Sequence, residues 1–335
     1  MRPPDPAPVV DLIEAFRGSK TMFTAVALGI FDRLHQAPST ASAIAQAVGA
    51  DPSATERLLD GCAALGLLVK QEGLYANHEV AETYLWSESP YTLSGYIQYS
   101  DQALYPMWGN LAAAVKEGSH RWTQTFGPRG SLFDHFFRTP EAQRDFLRGM
   151  HGFGMLSSPR VVTAFDLSPF HTLADLGGAT GHLAIAACER YPGLRGIVFD
   201  LPGPAAMARE QVARSAAGER IRVVEGDFFE DELPPADLYA LGRILHDWNE
   251  DKIRRLLGSI AAALPADGGL LVAEKLLEED GVGPPSANLQ SLNMLIVTEG
   301  RERTAAEYEA LLKAAGFSKV DCQRTGAPLD AILAV

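Results

Sequence analysis

Two groups of residues have the types and spacing to do chemistry. The first is Asp175-Leu176-Gly177-Gly178-Ala179-Thr180-Gly181, with Asp200 nineteen residues after Gly181 and Gly226-Asp227-Phe228-Phe229 beyond it. Glycines at a strand-to-helix turn let a ligand approach the backbone, and the helix start offers free N–H groups. An acid at the position of Asp200 can accept both hydroxyls of a ribose. Asp227 can bond an adenine amino group, and Phe228 can cover the ring. Asp175, just before the glycines, discourages a pyrophosphate but suits an ammonium or a sulfonium. The set favours S-adenosylmethionine over a nicotinamide nucleotide. The second group is Arg243-Ile244-Leu245-His246-Asp247-Trp248. Methyl transfer to a phenol goes faster when a base takes the phenol's proton, and His246 is the candidate. Its plainer reading is a helix-start histidine bonded to backbone. Asp247 either touches the acceptor or caps the helix that begins near Asn249.

These residues need elements to hold them. From His171 the chain alternates strand and helix, with strands expected over 171–176, 196–199, 221–224, 236–240 and 269–273 and a helix over 253–264. That order implies a mostly parallel sheet with helices on both faces. Thr304 with Glu307 makes a capping box for a last helix ending at Gly316, and runs 319–325 and 329–335 read as an antiparallel pair closing the sheet. Ligands of such sheets sit at the carboxyl ends of the strands, where the glycine loop, Asp200, Asp227 and His246 all fall.

The first hundred residues read as helices. One starts over Asp11–Phe16. A stripe of Met22, Val26, Leu28, Ile30, Phe31 and Leu34 marks a second, and others cover Thr40–Val48 and Pro52–Leu65. A hairpin of 67–70 with 74–76 follows, which makes a winged-helix pattern. Residues 1–90 hold six Lys/Arg against eleven Asp/Glu, and the Pro52–Leu65 helix has only Arg57, so a DNA reader is disfavoured and a structural or dimerisation module is favoured. Residues 90–165 are aromatic-rich, mostly for packing between helices, with a minority free to line a pocket. The expected organisation is 1–95 winged-helix-like, 96–160 helical linker and pocket lining, and 161–335 catalytic.

Asp-Leu-Gly-Gly-x-x-Gly, Val198-Phe199-Asp200-Leu201-Pro202, Gly226–Phe229, Arg243–Trp248 and Thr298-Glu299-Gly300-Arg301-Glu302-Arg303-Thr304 together resemble class I small-molecule O-methyltransferases. Ser291–Leu295 and Asp330–Ala334 resemble the acetylserotonin O-methyltransferase and acetylserotonin-methyltransferase-like subgroup. The resemblance covers nearly the whole chain. It implies an α/β fold, a Rossmann-like methyltransferase domain with an antiparallel last strand, behind a mainly helical winged-helix dimerisation domain. It also implies S-adenosyl-L-methionine as cofactor, a homodimer through the N-terminal domain and no metal.

By the same resemblance, Asp175, Gly177, Gly178, Asp200, Leu201, Asp227, Phe228 and Arg243 surround the cofactor, Arg243 pairing with its carboxylate. Ala179 replaces a third glycine common in relatives and crowds the loop slightly. Glu274 and Glu302 are the two acids offered to orient His246; Glu302 can instead be a solvated charge at a helix start. Asn293 and Val297, four apart on one helix face, border the acceptor pocket, and Met294 adds an apolar wall. A glutamine is usual at the position of Val297, so a polar handle is missing. That removes the ground for expecting N-acetylserotonin itself while leaving a small aromatic hydroxyl acceptor expected.

The 335 residues suit two domains, and 47% apolar content excludes a disordered chain. A net charge of −13 speaks against nucleic acid and anionic membranes. Cys62, Cys188 and Cys322 form no C-x-x-C pair, and no His/Asp cluster has ligand spacing. No apolar run is long enough to span a bilayer, and Met1–Pro8 lacks a signal-peptide core, so a soluble cytoplasmic protein is expected. Three other readings carry less: a ligand-binding protein without catalysis on the same scaffold, a winged-helix regulator and a nicotinamide dehydrogenase.

Overall fold

The strands of the C-terminal half are apolar at both parities, as a sheet covered on both faces requires. The computed structural model describes residues 3–335 and divides them into two units, the second running Leu104–Val335. In the first, α1 is Ala7–Ala27, α2 Ile30–Gln36, β1 Ser39–Thr40, α3 Ala41–Val48, α4 Pro52–Ala64, β2 Leu68–Gln71 and β3 Leu74–Asn77, followed by α5 Glu79–Tyr84 and α6 Ser94–Tyr99. The strands form an antiparallel sheet in the order β1-β3-β2, the wing of the expected pattern.

The stripe from Met22 to Leu34 does not make one helix. Gly29 adopts φ = +66°, the left-handed region that favours glycine, and divides it between α1 and α2. Asp11–Phe16 belongs to the same long α1. Val26, Ile30, Phe31 and Leu34 are buried in the core of their own unit. The large apolar residues that remain exposed on α1 are Val9, Val10, Leu12, Ile13 and Phe16.

The second unit begins with short helices α7 Tyr105–Trp108, α8 Leu111–Glu117, α9 Trp122–Phe126 and α10 Leu132–Phe136, then the long α11 Pro140–Val161, which the aromatic-rich sequence did not announce. The alternating part follows: β4 Thr172–Leu176, α12 His182–Arg190, β5 Arg195–Asp200, α13 Pro202–Arg214, β6 Ile221–Glu225, β7 Leu238–Gly242, α14 Glu250–Ala263 and β8 Gly269–Glu274. Then come β9 Leu276–Leu277, α15 Pro285–Val297, β10 Arg303–Thr304, α16 Ala305–Ala314, β11 Val320–Gln323 and β12 Asp330–Ala334.

The large sheet runs β11-β12-β8-β7-β4-β5-β6. It is parallel from β8 to β6, and β12 and β11 are antiparallel, as expected. Alternate residues feed two cores. Leu176, Phe199, Tyr239, Leu241 and Val272 face one side, and Leu173, Val198, Leu238, Ala240 and Leu271 the other. β7 starts two residues later than the sequence suggested. The Asp237 carboxylate is used before the strand begins, accepting the amides of His171 and Thr172 at 2.8 and 2.7 Å. The chain builds β4, β5 and β6 in one direction and then crosses to β7 on the other side of β4. That switch point opens a crevice at the carboxyl edge.

Among the described residues, no helix is long and apolar enough to cross a membrane. The capping box of α16 is present: Glu307 N–H donates to Thr304 Oγ1 at 3.2 Å and Thr304 N–H to Glu307 Oε2 at 2.9 Å. Thr304→Ala should cost about 1 kcal/mol and lower the melting temperature by roughly 2–4 °C. A thermal scan of the two proteins side by side checks this.

Candidate active site

The loop between β4 and α12 is shaped by close neighbours. A Cβ on Gly177 would lie 2.5 Å from Ile244 Cδ1 and 3.3 Å from Phe228 Cε1, so Phe228 does pack over the loop. Asp200 braces it from β5: Oδ2 accepts Ala179 N–H and Oδ1 accepts Leu201 N–H, both at 2.7 Å. Each oxygen keeps a second lone pair for a ribose hydroxyl. Burial, with a smaller push from Asp227, lifts the Asp200 carboxyl to about 6 against those two bonds. Burial, then Asp200, lifts Asp175 to about 7, and its enclosed Oδ2 has no partner. Asp227 Oδ1 accepts Phe229 N–H at 2.8 Å, closing its own turn. Three carboxylates and an orphaned buried oxygen form a site short of positive charge. These residues fit an adenosyl ligand carrying a sulfonium and an ammonium and do not fit a pyrophosphate.

Ala179 takes φ = +50° and Arg243, just past β7, φ = +59°. The left-handed region costs a non-glycine residue about 1–2 kcal/mol. Both follow the carboxyl ends of the paired strands β4 and β7, and functional sites are a usual setting of such strain. Arg243 makes no ion pair among the described residues, which removes the surface salt-bridge alternative. Its Nε is unpartnered and its guanidinium carbon is 5.7 Å from the centroid of Phe153. His151, on α11, escaped the sequence reading. Its Nδ1 is 2.8 Å from Thr180 Oγ1 in the loop, and nothing in its surroundings in the sequence marks it.

His246 sits in a single 3-10 turn, Leu245–Asp247, and is 2% exposed. Its Nδ1 is hydrogen-bonded to Glu302 Oε1 at 2.8 Å. A carboxylate can only accept, so Nδ1 carries a proton, and in the neutral ring the lone pair is on Nε2. Glu274 Oε2 is 3.1 Å from the same nitrogen but lies outside hydrogen-bond geometry. Glu274 Oε1 instead accepts the backbone N–H of Leu245 at 2.9 Å and of His246 at 3.3 Å, so it holds the turn. Both glutamates are fully buried, and Glu302 is no solvated helix-start charge. Burial alone would push the imidazole down, but Glu274, Glu302 and Asp247 outweigh it and lift it from 6.5 to about 9.

Asp247 Oδ1 is 3.6 Å from His246 Nε2. It is not the cap of α14, because Asn249 accepts Lys252 N–H in that role at 3.1 Å. Burial leads the effects that raise Asp247, to about 6. Although no acid cluster with ligand spacing is visible in the sequence, the fold brings one ligand atom each of His246, Glu274 and Glu302 within 4.8 Å of one another. The Nδ1–Glu302 contact has the length and direction of a hydrogen bond.

Asn293, Met294 and Val297 are buried on α15. Trp108 donates its indole N–H to Asn293 Oδ1 at 2.9 Å, and Trp122 donates to the Val297 carbonyl at 2.8 Å. Most of the other aromatics of this region pack on each other: Phe136 lies 4.9 Å from Trp122 and 4.7 Å from Phe146, and Phe133 reaches Trp248 at 5.8 Å. After α15 the chain turns back on the histidine segment. Glu299 N–H donates to the Asp247 carbonyl at 3.3 Å, and a Cβ on Gly300 would stand 2.2 Å from the His246 carbonyl oxygen.

A Rossmann-like sheet with an acidic adenosyl site and a buried histidine at one edge defines an S-adenosylmethionine-dependent methyltransferase. Residues 108–318 match the model of an O-methyltransferase domain, and residues 10–87 that of an O-methyltransferase dimerisation domain. Acetylserotonin O-methyltransferase of Bos taurus is 44% identical over 326 residues, which cover 95% of this chain and 94% of that one. A probable bifunctional dTTP/UTP pyrophosphatase/methyltransferase protein of Homo sapiens is 42% identical; the match covers 99% of this chain and 54% of that protein, so the chain spans about half its length. The solved human N-acetylserotonin methyltransferase in complex with SAM superposes with a TM-score of 0.94 at 40% identity, covering 99% of this chain and 98% of that one. The chain belongs to the S-adenosylmethionine-dependent O-methyltransferase family.

Gly300→Ala should displace the turn that carries His246, because the obstacle is backbone and cannot swing away. A shift of about 1 Å at a reacting group costs on the order of 10²-fold in rate. Steady-state kinetics should show kcat falling by that order, with calorimetric cofactor affinity nearly unchanged.

Proposed function

We propose that the chain methylates a hydroxyl of a small aromatic compound, phenolic, hydroxyindole or polyketide-like, with His246 as general base. The observation that carries this reading is the Nδ1–H···Glu302 bond, which leaves the Nε2 lone pair as the basic atom of a buried imidazole. When bound, S-adenosylmethionine supplies a methyl group on a sulfonium, open to in-line attack. Asp200, Asp227 and Phe228 hold the adenosine, with Gly177, Gly178 and Leu201 forming the cradle. Asp175 supplies negative charge, and Arg243 takes the carboxylate. Asn293, Met294 and Val297 border the acceptor, and Asp247 approaches its hydroxyl. His246 Nε2 takes the proton as the oxygen attacks, and Glu302 and Glu274 stabilise the resulting imidazolium. The acetylserotonin O-methyltransferase relatives support a hydroxyindole-type acceptor.

The raised pKa of His246 suits this role. A base near 9 is closely matched to a phenol near ~10, although only about one molecule in a hundred carries the neutral ring at pH 7. The neutral ring is the active form, so the rate should climb with pH, reach half its limit near 9 and level off above that. Glu302→Gln removes one of the charges that raise the histidine, so it should move this limb to lower pH while lowering the plateau. His246→Ala should lower kcat about 10²–10⁴-fold and leave calorimetric cofactor affinity nearly intact. Labelled-methyl assays on a panel of phenols, hydroxyindoles and hydroxyquinones measure all of this. Near-full activity of His246→Ala on the best acceptor would remove the base assignment.

We also propose a homodimer through the N-terminal unit. The exposed Leu12, Ile13 and Phe16 of α1 support it, together with the dimerisation-domain match; of the stripe from Met22 to Leu34 only Leu28 is exposed, and Val26, Ile30, Phe31 and Leu34 are spent on the core of their own unit. Leu12→Asp combined with Phe16→Asp should convert a dimer to a monomer in light scattering. A dimer that persists would place the interface elsewhere.

A further inference from the structure

The long helix α11 lies across the carboxyl edge of the sheet. Near its start Gln143 packs on Gly203, where a Cβ would stand 2.1 Å from Nε2, so it covers the turn after β5 that carries Asp200 and Leu201. Further along, His151 Nδ1 is 2.8 Å from Thr180 Oγ1 in the glycine loop, and the Phe153 ring lies 5.7 Å from the guanidinium carbon of Arg243, just past β7. Gly154 then receives the ring of His182, the first residue of α12: a Cβ there would stand 2.3 Å from that ring. One turn on, Ser158 Oγ is 2.9 Å from His182 Nδ1. One helix thus touches the segments that leave β4, β5 and β7 at the crevice. The loop beneath it is covered, with Thr180 1% exposed and Asp175 2%. A ligand of the glycine loop arrives through a closed edge.

The part of α11 over the loop is weak as a helix. Gly149, Gly152 and Gly154 are buried in it, and Pro159 stands inside it. Glycine destabilises a helix interior relative to alanine, and a proline removes the bond to the fourth residue before it. What ties this stretch to the loop and to α12 is a pair of hydrogen bonds between uncharged groups. Burial pushes His151 below its ordinary value, and burial, then His151 and Arg243, take His182 down to about 3. Both rings are therefore neutral at pH 7. A bond between neutral groups is worth a factor of about 2–10 in an equilibrium. Two of them favour the closed helix without fixing it, and they can break on the microsecond-to-millisecond scale of lid motions.

We propose that residues 151–158 of α11 are a latch over the adenosyl site, lifting from Thr180 and His182 each time the methyl donor enters or its demethylated product leaves. This rests on the reading of the glycine loop as the adenosyl site. The two bonds are broken only while the ligand passes and are re-formed whether the site is filled or empty. They therefore slow entry and exit alike and leave affinity almost unchanged.

The test measures association and dissociation of S-adenosylhomocysteine with the full chain by stopped flow. In His151→Ala both rate constants should rise together, by about 2–10-fold, with Kd nearly unchanged. A rise in dissociation alone would make His151 a contact of the ligand and overturn the proposal, and so would unchanged rates. A second variant locks the helix instead of freeing it. Because a Cβ at position 154 stands 2.3 Å from His182 Cγ, Gly154→Cys with His182→Cys brings two β-carbons within roughly 4 Å, the span of a disulfide. Crosslinked after loading, and with the crosslink located by mass spectrometry, this protein should retain S-adenosylhomocysteine through gel filtration and release it on reduction. Crosslinked while empty, it should bind none until reduced. Free exchange in the crosslinked protein overturns the latch, and His151→Ala decides the matter if the introduced pair does not form. A wild type that binds no S-adenosylhomocysteine overturns the adenosyl reading itself, whereas binding with unlatched exchange overturns the latch alone.

Discussion

The hydrogen bond from His246 Nδ1 to Glu302 joins a buried imidazole to a buried carboxylate, with a second glutamate 3.1 Å away. Taking such charges out of water is expensive unless each is met by an opposite charge or a donor. Much of the local architecture meets that requirement. Glu274 ends β8 and takes two amides of the histidine turn, while β10 beside β9 carries Arg303, which follows Glu302 directly. Arg303 is 2% exposed and donates to the carbonyls of Leu245 and Arg301, tying the histidine turn to the segment that bears Glu302. Gly300 lets that segment approach without a clash. Loosening any of these contacts would let the imidazole turn and lose its fixed tautomer.

The same edge of the sheet holds two acidic groups with different uses. Around the glycine loop, Asp175 and Asp200 are raised chiefly by burial and lack a protein cation, so a positively charged ligand relieves them. Around His246 the acids already have their cation, since they raise the imidazole to about 9. One set is proposed to draw in a cationic methyl donor. The other strengthens a base to a level comparable with the hydroxyl it is proposed to deprotonate. Ala179 and Arg243, both left-handed, lie at the crevice between them.

How much of this was legible in the sequence depends on the distance over which each feature is determined. Strands with apolar residues at both parities, the glycine turn with Asp200 one strand later, and the Thr304–Glu307 box are local patterns. Their physical causes act over a few residues, and the fold class and the candidate adenosyl site follow from them. Boundaries set by one backbone angle or one side chain were less legible. Gly29 splits an apolar stripe, and Asp237 delays β7 by bonding the amides of His171 and Thr172.

What only the tertiary structure decided are the pairings between distant residues. His246 meets Glu274 and Glu302 from 28 and 56 positions away, and the division of labour between them, one bonding the ring and one the backbone, is a matter of tenths of an ångström. Asn249 rather than Asp247 caps α14, which leaves Asp247 facing Nε2. Trp108 reaches Asn293 across 185 positions with no periodicity to announce it. By itself the sequence determined the strand–helix alternation of the sheet and which residue types stand at its carboxyl edge, because hydrophobic period and turn chemistry act locally. Which atoms touch was decided by packing, because a hydrogen bond in a dry interior depends on the placement of every element around it.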